Sequence, residues 1–254
     1  MTTLFPFLDP LYFVSALVVA LCAGFVKGVV GFAMPLVLIS GLGTFVAPEI
    51  ALAGLIIPTL VSNMWQSMRQ GLAAAWQSVR VFWVFLVTGG VTLIIAAQFV
   101  RIISESAMQL TIGVPVVFFA LLQLSGYRFH ITRKTWRIEA AVGGLSGVLG
   151  GLSGVWGPPT VSYLTALNTP KYDQMRIQGV IYGAGSVLLF AAHLGSGVLR
   201  SETIAFSLSL VPPALIGMWI GGKVMDRIDQ NVFRRATLFV LLLAGLNLIR
   251  RALF

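Results

Sequence analysis

The strongest constraint on this chain is a glycine pattern that occurs twice inside hydrophobic sequence. Gly24-Phe-Val-Lys27-Gly28-Val-Val-Gly31 is echoed half a chain length later by Gly150-Gly-Leu-Ser153-Gly154-Val-Trp-Gly157, with the spacing G-x-x-x-G-x-x-G both times. Each copy runs into a helix breaker, Pro35 in the first half and Pro158-Pro159 in the second. In hydrocarbon every backbone N–H and C=O must find a partner within the protein. Irregular backbone is therefore tolerated at membrane depth only where it is buried or lines a polar cavity. Two halves with apolar segments interrupted at corresponding places form the sequence pattern of a transporter.

Composition supports the membrane reading. Hydrophobic residues make up 57% of the 254 and charged residues 10%, against roughly 45–50% and about 25% in soluble domains. The apolar blocks are approximately 11–34, 35–47, 50–68, 81–100, 107–125, 138–156, 158–168, 177–199, 204–222 and 236–253. They leave no room for a separate soluble domain. The net charge of +9 is not a nucleic-acid signal, because the basic residues are scattered through short loops and form no run that would track a phosphate backbone. Cys22 is the only cysteine. It excludes an internal disulfide and a cysteine-based metal site, and is expected to be a small packing residue. Met1 to Pro10 carries no Lys or Arg, unlike a secretory leader, so the first apolar stretch is expected to be retained.

Blocks 11–34 and 35–47 are nearly continuous, as are 138–156 and 158–168. Each pair would extend about 45–55 Å as one helix, too long for a single crossing of about 30 Å. The Gly/Pro break suggests a helical hairpin, re-entrant or fully spanning. The halves correspond further: Pro48 and Pro170 both precede a membrane helix, Val79 to Val100 matches Ile204 to Met225, and Arg101 to Leu110 matches Asp226 to Arg235. The expected repeats are 1–127 and 128–254, joined by the basic loop Tyr127 to Arg137.

Charge separates two topologies. If each broken pair crosses once, the halves are parallel and Lys and Arg, Lys27 aside, divide nine against seven. If each pair goes in and returns, the repeats are inverted. One side then collects Arg69, Arg80, Arg128, Arg133, Lys134, Arg137, Lys171, Arg176, Lys223, Arg227, Arg234 and Arg235, and the other has Arg101, Arg200, Arg250 and Arg251. The positive-inside rule favours the second arrangement, with both termini outside the cytoplasm. The expected fold is thus an all-α polytopic membrane protein of two inverted repeats, each a broken hairpin followed by three transmembrane helices.

Small residues four apart let helices approach closely in lipid, so packing alone accounts for many of these glycines. The breaks add exposed N–H groups that suit an anion. Lys27 is the sharper signal. It lies deep in the first apolar block, where a charge is costly and marks either a structural partner or a substrate site. Its repeat counterpart is the neutral Ser153. Asp9, Glu49, Glu105, Glu139, Asp173, Glu202, Asp226 and Asp229 all fall near block ends, so there is no buried carboxylate for a cation carrier and an anion is the better expectation. His193, within an apolar helix, is the candidate for proton coupling, against a purely structural role. Asn63, Gln66, Tyr163, Gln178 and Tyr182 offer hydrogen bonds to an oxyanion, or glue helices together. Phe32 and Trp156 flank the breaks. The expected binding set is Lys27, Gly28, Gly31, Phe32, Asn63, Ser153, Gly154, Trp156, Gly157, Pro158, Tyr163, Gln178 and Tyr182. No nucleophile constellation, metal spacing or phosphate-binding loop occurs, so neither an enzyme nor a cofactor or metal is expected. Lipid and a small anion are the expected partners, a homo-oligomer is compatible with the chain, and a membrane assembly role is the reading of a different class.

At these residues the chain resembles the TauE/SafE family of sulfite exporters, bacterial inner-membrane permeases. Ala23-Gly-Phe-Val-Lys-Gly-Val-Val-Gly-Phe-Ala-Met-Pro35 looks like the first family signature and Gly150-Gly-Leu-Ser-Gly-Val-Trp-Gly-Pro-Pro-Thr-Val-Ser-Tyr163 like the second. Family members usually carry a glycine where Ala33 stands, a small change expected to preserve close packing. The resemblance covers nearly the whole chain and implies about eight transmembrane helices, of a length that crosses a bilayer. It also implies export or exchange of small sulfur-containing anions such as sulfite, sulfoacetate or related sulfonates. An anion channel, or an importer of another small oxyanion or carboxylate on the same scaffold, is the alternative.

Overall fold

The computed structural model describes residues 8–97, 104–127, 131, 133–153, 156–195 and 198–253. Among the described residues the chain is all helix: α1 (Pro10–Val30), α2 (Met34–Leu42), α3 (Pro48–Met68), α4 (Leu72–Val81), α5 (Trp83–Ala97), α6 (Glu105–Leu124), α7 (Trp136–Ser153), α8 (Gly157–Ala166), α9 (Lys171–Gly195), α10 (Ser201–Arg227) and α11 (Gln230–Leu253). Four stretches are long and apolar enough to cross a membrane, Pro10–Val30, Glu49–Met68, Ser201–Arg227 and Gln230–Leu253. α4 and α5 form a pair bent by 72° that adds a fifth if counted as one span. α9 has 25 residues, but its first turns carry Lys171, Asp173, Gln174, Arg176 and Gln178.

Both Gly/Pro breaks produce hairpins that double back. α1 ends on Gly31 in the left-handed conformation, φ 86, with the Gly31 N–H donating to the Lys27 carbonyl at 2.7 Å. The chain turns again at Ala33 and enters α2 with Pro35 in its first turn, where a missing N–H costs nothing. Gly41, near the end of α2, lies against the Val19 side chain of α1, so α2 retraces α1. α8 does the same on α7: Ser146 and Thr160 hydroxyls meet at 3.0 Å, and the Ala166 carbonyl, at the far end of α8, accepts from the Ile131 N–H at 2.9 Å. With 9 and 10 residues, α2 and α8 extend about 14–15 Å, half the thickness of a bilayer core.

Ala33 has φ 72. A small residue is therefore favoured here by the backbone and not only by packing, since a β-carbon in the left-handed region costs roughly 1–2 kcal/mol.

The chain forms two compact units that interleave its halves: Met1–Gln66 with Ser186–Ile228, and Ser67–Gly185 with Asp229–Phe254. In the first, α1 packs on α10; in the second, α7 packs on α5 and α6 on α11. Glycine makes the close approaches. A β-carbon on Gly24 would sit 2.8 Å from the Ala214 carbonyl carbon, and one on Gly217 would sit 2.9 Å from that of Leu21. Gly28 faces Met218 and Gly222 in the same way. In the second unit, Gly143 and Gly147 of α7 meet Phe85, Thr88, Gly89 and Thr92 of α5. The core of the first unit is Met34, Leu38, Leu42, Ile56, Phe206 and Leu210. Cys22, expected to pack, instead lies exposed on α1.

Two irregular helices are repaired by side chains from elsewhere in their own unit. Pro58 inside α3 has no N–H to give the carbonyl one turn earlier. The Ser207 hydroxyl, from α10, donates to that carbonyl, Gly54, at 3.2 Å and accepts from the Ile57 N–H at 3.2 Å. At the α4–α5 bend, Glu139 accepts from the Phe85 N–H at 3.2 Å and pairs with Lys134 at 2.9 Å, while Lys134 donates to the Val81 carbonyl. Glu139 lies at the end of an apolar block, as its sequence position indicates, yet its side chain is buried. Outside the spans, Asp229 caps α11: N–H groups of Val232 and Asn231 hold its carboxyl below the usual carboxylate range.

Candidate polar sites at the two helix breaks

Lys27 sits in the last turn of α1 and is 1% exposed. Its Nζ donates to Ser62 Oγ at 2.8 Å and to Asn63 Oδ1. Both acceptors come from α3, and both are oriented by further bonds. Ser62 Oγ lies within donating range of the Thr59 carbonyl at 3.1 Å and of Met34 Sδ at 3.3 Å. Asn63 Nδ2 donates to Ser186 Oγ of α9 at 3.3 Å. One turn further along α3, Gln66 Nε2 donates to the Gly31 carbonyl at 3.0 Å, satisfying an acceptor that the break leaves outside any helix.

These residues belong to one stripe. Thr59, Ser62, Asn63 and Gln66 recur at i, i+3, i+4 and i+7, one face of a helix, and all four are buried. The sequence singled out Asn63 and Gln66. Thr59 and Ser62 completed the same periodic pattern but pass unnoticed as ordinary small polar residues. The Thr59 hydroxyl has no hydrogen-bond partner among the described residues. Lys27 has no carboxylate partner among them either; the ion pairs found are Lys134–Glu139, Arg176–Asp173 and Arg200–Glu49. The ring around Lys27 is therefore polar and uncharged, and Phe32, at the break itself, is buried.

The second break is built differently. The Trp156 indole lies between Gly150 of α7 and Gly185 of α9, where a β-carbon on either glycine would come within 3 Å of the ring. The Trp156 carbonyl accepts from Thr160 Oγ1 at 3.0 Å and Ser146 Oγ at 3.4 Å, and Tyr182 donates its hydroxyl to the Gly157 carbonyl at 3.2 Å. Pro158 and Pro159 occupy the first turn of α8, removing two backbone donors that a helix N-terminus would offer an anion. Gln174, Gln178 and Tyr182 line one face of α9 and are buried. Tyr163 is buried on α8, stacks on Phe85 with centroids 6.4 Å apart, and its hydroxyl has no partner among the described residues. No group of three metal-binding side chains occurs among the described residues.

The expected binding residues thus fall into two groups, each inside one compact unit. Lys27, Gly31 and Asn63 come together in the first, and Trp156, Gly157 and Tyr182 in the second. Gly28 faces α10 and serves the helix contact. Gly154 and the side chains of Ser153 and His193 lie outside the described residues.

Neither the curated proteins nor the solved structures compared with the chain gave a match. The model of the family Sulfite exporter TauE/SafE matches residues 16–248, nearly the whole length. A multi-pass helical chain that this model spans almost from end to end belongs to the TauE/SafE sulfite exporter family of membrane transporters.

Proposed function

We propose that this transporter carries a small sulfur-containing oxyanion (sulfite, sulfoacetate or a related sulfonate) across the bacterial inner membrane by alternating access, with the anion held at Lys27. The observation that carries the reading is the environment of that lysine: buried, ringed by neutral acceptors, and without a carboxylate among the described residues. A charge at membrane depth is retained where it serves a substrate or ion path, and an anion is the complementary ligand. The Thr59 hydroxyl on the same stripe of α3 adds a neutral donor. The stripped N-terminus of α8 makes the second break the less suited of the two to hold negative charge. Gly28, Gly31, Phe32 and Asn63 are assigned with Lys27 to the first break, and Ser153, Gly154, Trp156, Gly157, Pro158, Tyr163, Gln178 and Tyr182 to the second break within its own unit.

The repeats, 1–127 and 128–254, are inverted in this reading and both termini are periplasmic. The order of elements supports it: a long helix, a short helix that doubles back on it and a second long helix open each half.

Counterflow in proteoliposomes tests the function. Vesicles preloaded with sulfite, sulfoacetate, thiosulfate or a carboxylate control are compared for wild type and Lys27→Met. The substitution removes charge-assisted hydrogen bonds worth about 1.5–3 kcal/mol, so exchange of one sulfur anion is expected to lose roughly 10- to 100-fold in apparent affinity. Undiminished exchange by Lys27→Met would remove the lysine from the site. Flux without trans-stimulation would mean a channel rather than a carrier.

A further inference from the structure

We infer that Lys27 also couples transport to protons: its amine takes up one proton as the anion binds and releases it as the anion leaves, so that anion and proton cross together. The inference rests on the placement of the anion at Lys27 proposed above.

The geometry of the amine carries it. An ammonium has three N–H donors, whereas a neutral amine has two donors and a lone pair. Among the described residues Lys27 Nζ has two polar partners, Ser62 Oγ at 2.8 Å and Asn63 Oδ1. Both are held as acceptors. The Ser62 hydroxyl proton has the Thr59 carbonyl and Met34 Sδ to point at, and the Asn63 amide group is turned by Ser186. Two acceptors match both N–H donors of a neutral amine and leave an ammonium one acceptor short. The remaining position on Nζ is a lone pair when the site is empty and an N–H directed at the anion when it is filled.

Among the described residues, no ionisable side chain is bonded to the Lys27 amine to neutralise it. α2 carries no ionisable residue. On α3, Glu49 is exposed and pairs with Arg200. On α10, which packs along α1, Glu202, Lys223, Asp226 and Arg227 are all exposed. His193 stands seven positions beyond Ser186 on α9, and its side chain lies outside the described residues. Alternating access requires the empty site to pass between faces. An empty, charged Lys27 would make that passage uncompensated, whereas a neutral amine crosses without that cost.

The step balances. On one face the amine, a hydronium ion and the anion give the ammonium–anion pair and one water; on the other face the pair dissociates and the proton returns to water. No electron moves and no further reactant is needed.

The test uses proteoliposomes with a pH-sensitive dye in the lumen and thiosulfate or sulfoacetate outside, neither of which holds a titrating proton of its own near neutral pH. Each anion that wild type exchanges in counterflow is expected to acidify the lumen as it enters, one proton per anion. An anion that exchanges but enters with no change in luminal pH would overturn the coupling and leave the transport function standing. If no anion exchanges, function and coupling fall together. Lys27→Arg supplies the second arm, because guanidinium does not deprotonate in proteins. Whatever anion exchange the variant retains is expected to proceed without net proton-coupled entry. Luminal acidification by Lys27→Arg at the wild-type rate would overturn the assignment of the proton to Lys27. Should that variant fail to fold, the wild-type proton count still decides.

Discussion

Replacing Gly217 with alanine tests whether close helix contact holds the first unit together. The added β-carbon would lie 2.8 Å from the Phe25 nitrogen, 2.9 Å from the Leu21 carbonyl carbon and closer still to the Leu21 carbonyl oxygen, more than an ångström inside the 3.4 Å edge of ordinary contact. Both obstacles are backbone, so no side chain can swing away, and α1 must move off α10. A gap of that size along the seam forfeits a quarter or more of the dispersion energy of the atoms facing it, and overpacking of this kind costs about 1–3 kcal/mol. At about 2–4 °C per kcal/mol for a chain near this size, the purified protein should lose roughly 2–12 °C in melting temperature. Gly90→Ala is the control. Its β-carbon would meet nothing within 4 Å, and the better helix propensity of alanine should be neutral or add up to about 1 kcal/mol. Thermal unfolding in one detergent, followed by tryptophan fluorescence, compares the two. Gly24→Ala pushes on the same seam from the other helix, against Ala214, so the double variant should lose less than the sum of the singles. A Gly217→Ala protein that melts with wild type, or a Gly90→Ala protein that melts lower than it, would refute the argument.

Two further outcomes follow from the repaired irregularities. Ser207→Ala strips the partner from the Gly54 carbonyl and the Ile57 N–H beside Pro58; a loss of about 1–3 kcal/mol is expected, read in the same melting assay, and an unchanged melting temperature would mean that α3 repairs its own proline. Ala33→Gly relieves a left-handed β-carbon at φ 72 while raising unfolded-chain entropy by about 0.4–1 kcal/mol, so it should melt at or slightly above wild type; a clear drop would show that the Ala33 methyl packs usefully.

Much of the fold was legible because membrane burial leaves few options. Apolar runs had to be helices, and Pro35 and Pro158-Pro159 had to interrupt them. α1 gives way to α2 at Gly31 to Ala33, and α8 begins at Gly157 with both prolines in its first turn. The signal for α4 was weaker, since Leu72–Val81 is polar enough to read as a loop and its bend into α5 depends on Lys134 and Glu139 from beyond α6. Glu139 illustrates the limit. A carboxylate at a block end reads as solvated, and burial becomes visible only when the Phe85 N–H that needs it is located. The site was half legible. Lys27 stands out because charge in an apolar run is rare, whereas Thr59 and Ser62 acquire meaning only from lying on one stripe with Asn63 and Gln66.

The sequence by itself determined that this chain is a helical membrane protein of the TauE/SafE family, with two broken hairpins and one lysine deep in the first. Composition, proline position and a recurring glycine spacing are local properties that need no partner to be read. Tertiary structure alone decided which glycines are contacts. Gly24 and Gly28 matter because Ala214 and Met218 face them from α10, nearly two hundred residues away. It also decided the surroundings of Lys27, because both acceptors that hold its amine lie on α3 and one of them, Asn63, is itself bonded to Ser186 of α9. Hydrogen bonds between distant segments depend on how helices pair, and that pairing is set by close packing along the whole helix rather than by any short motif.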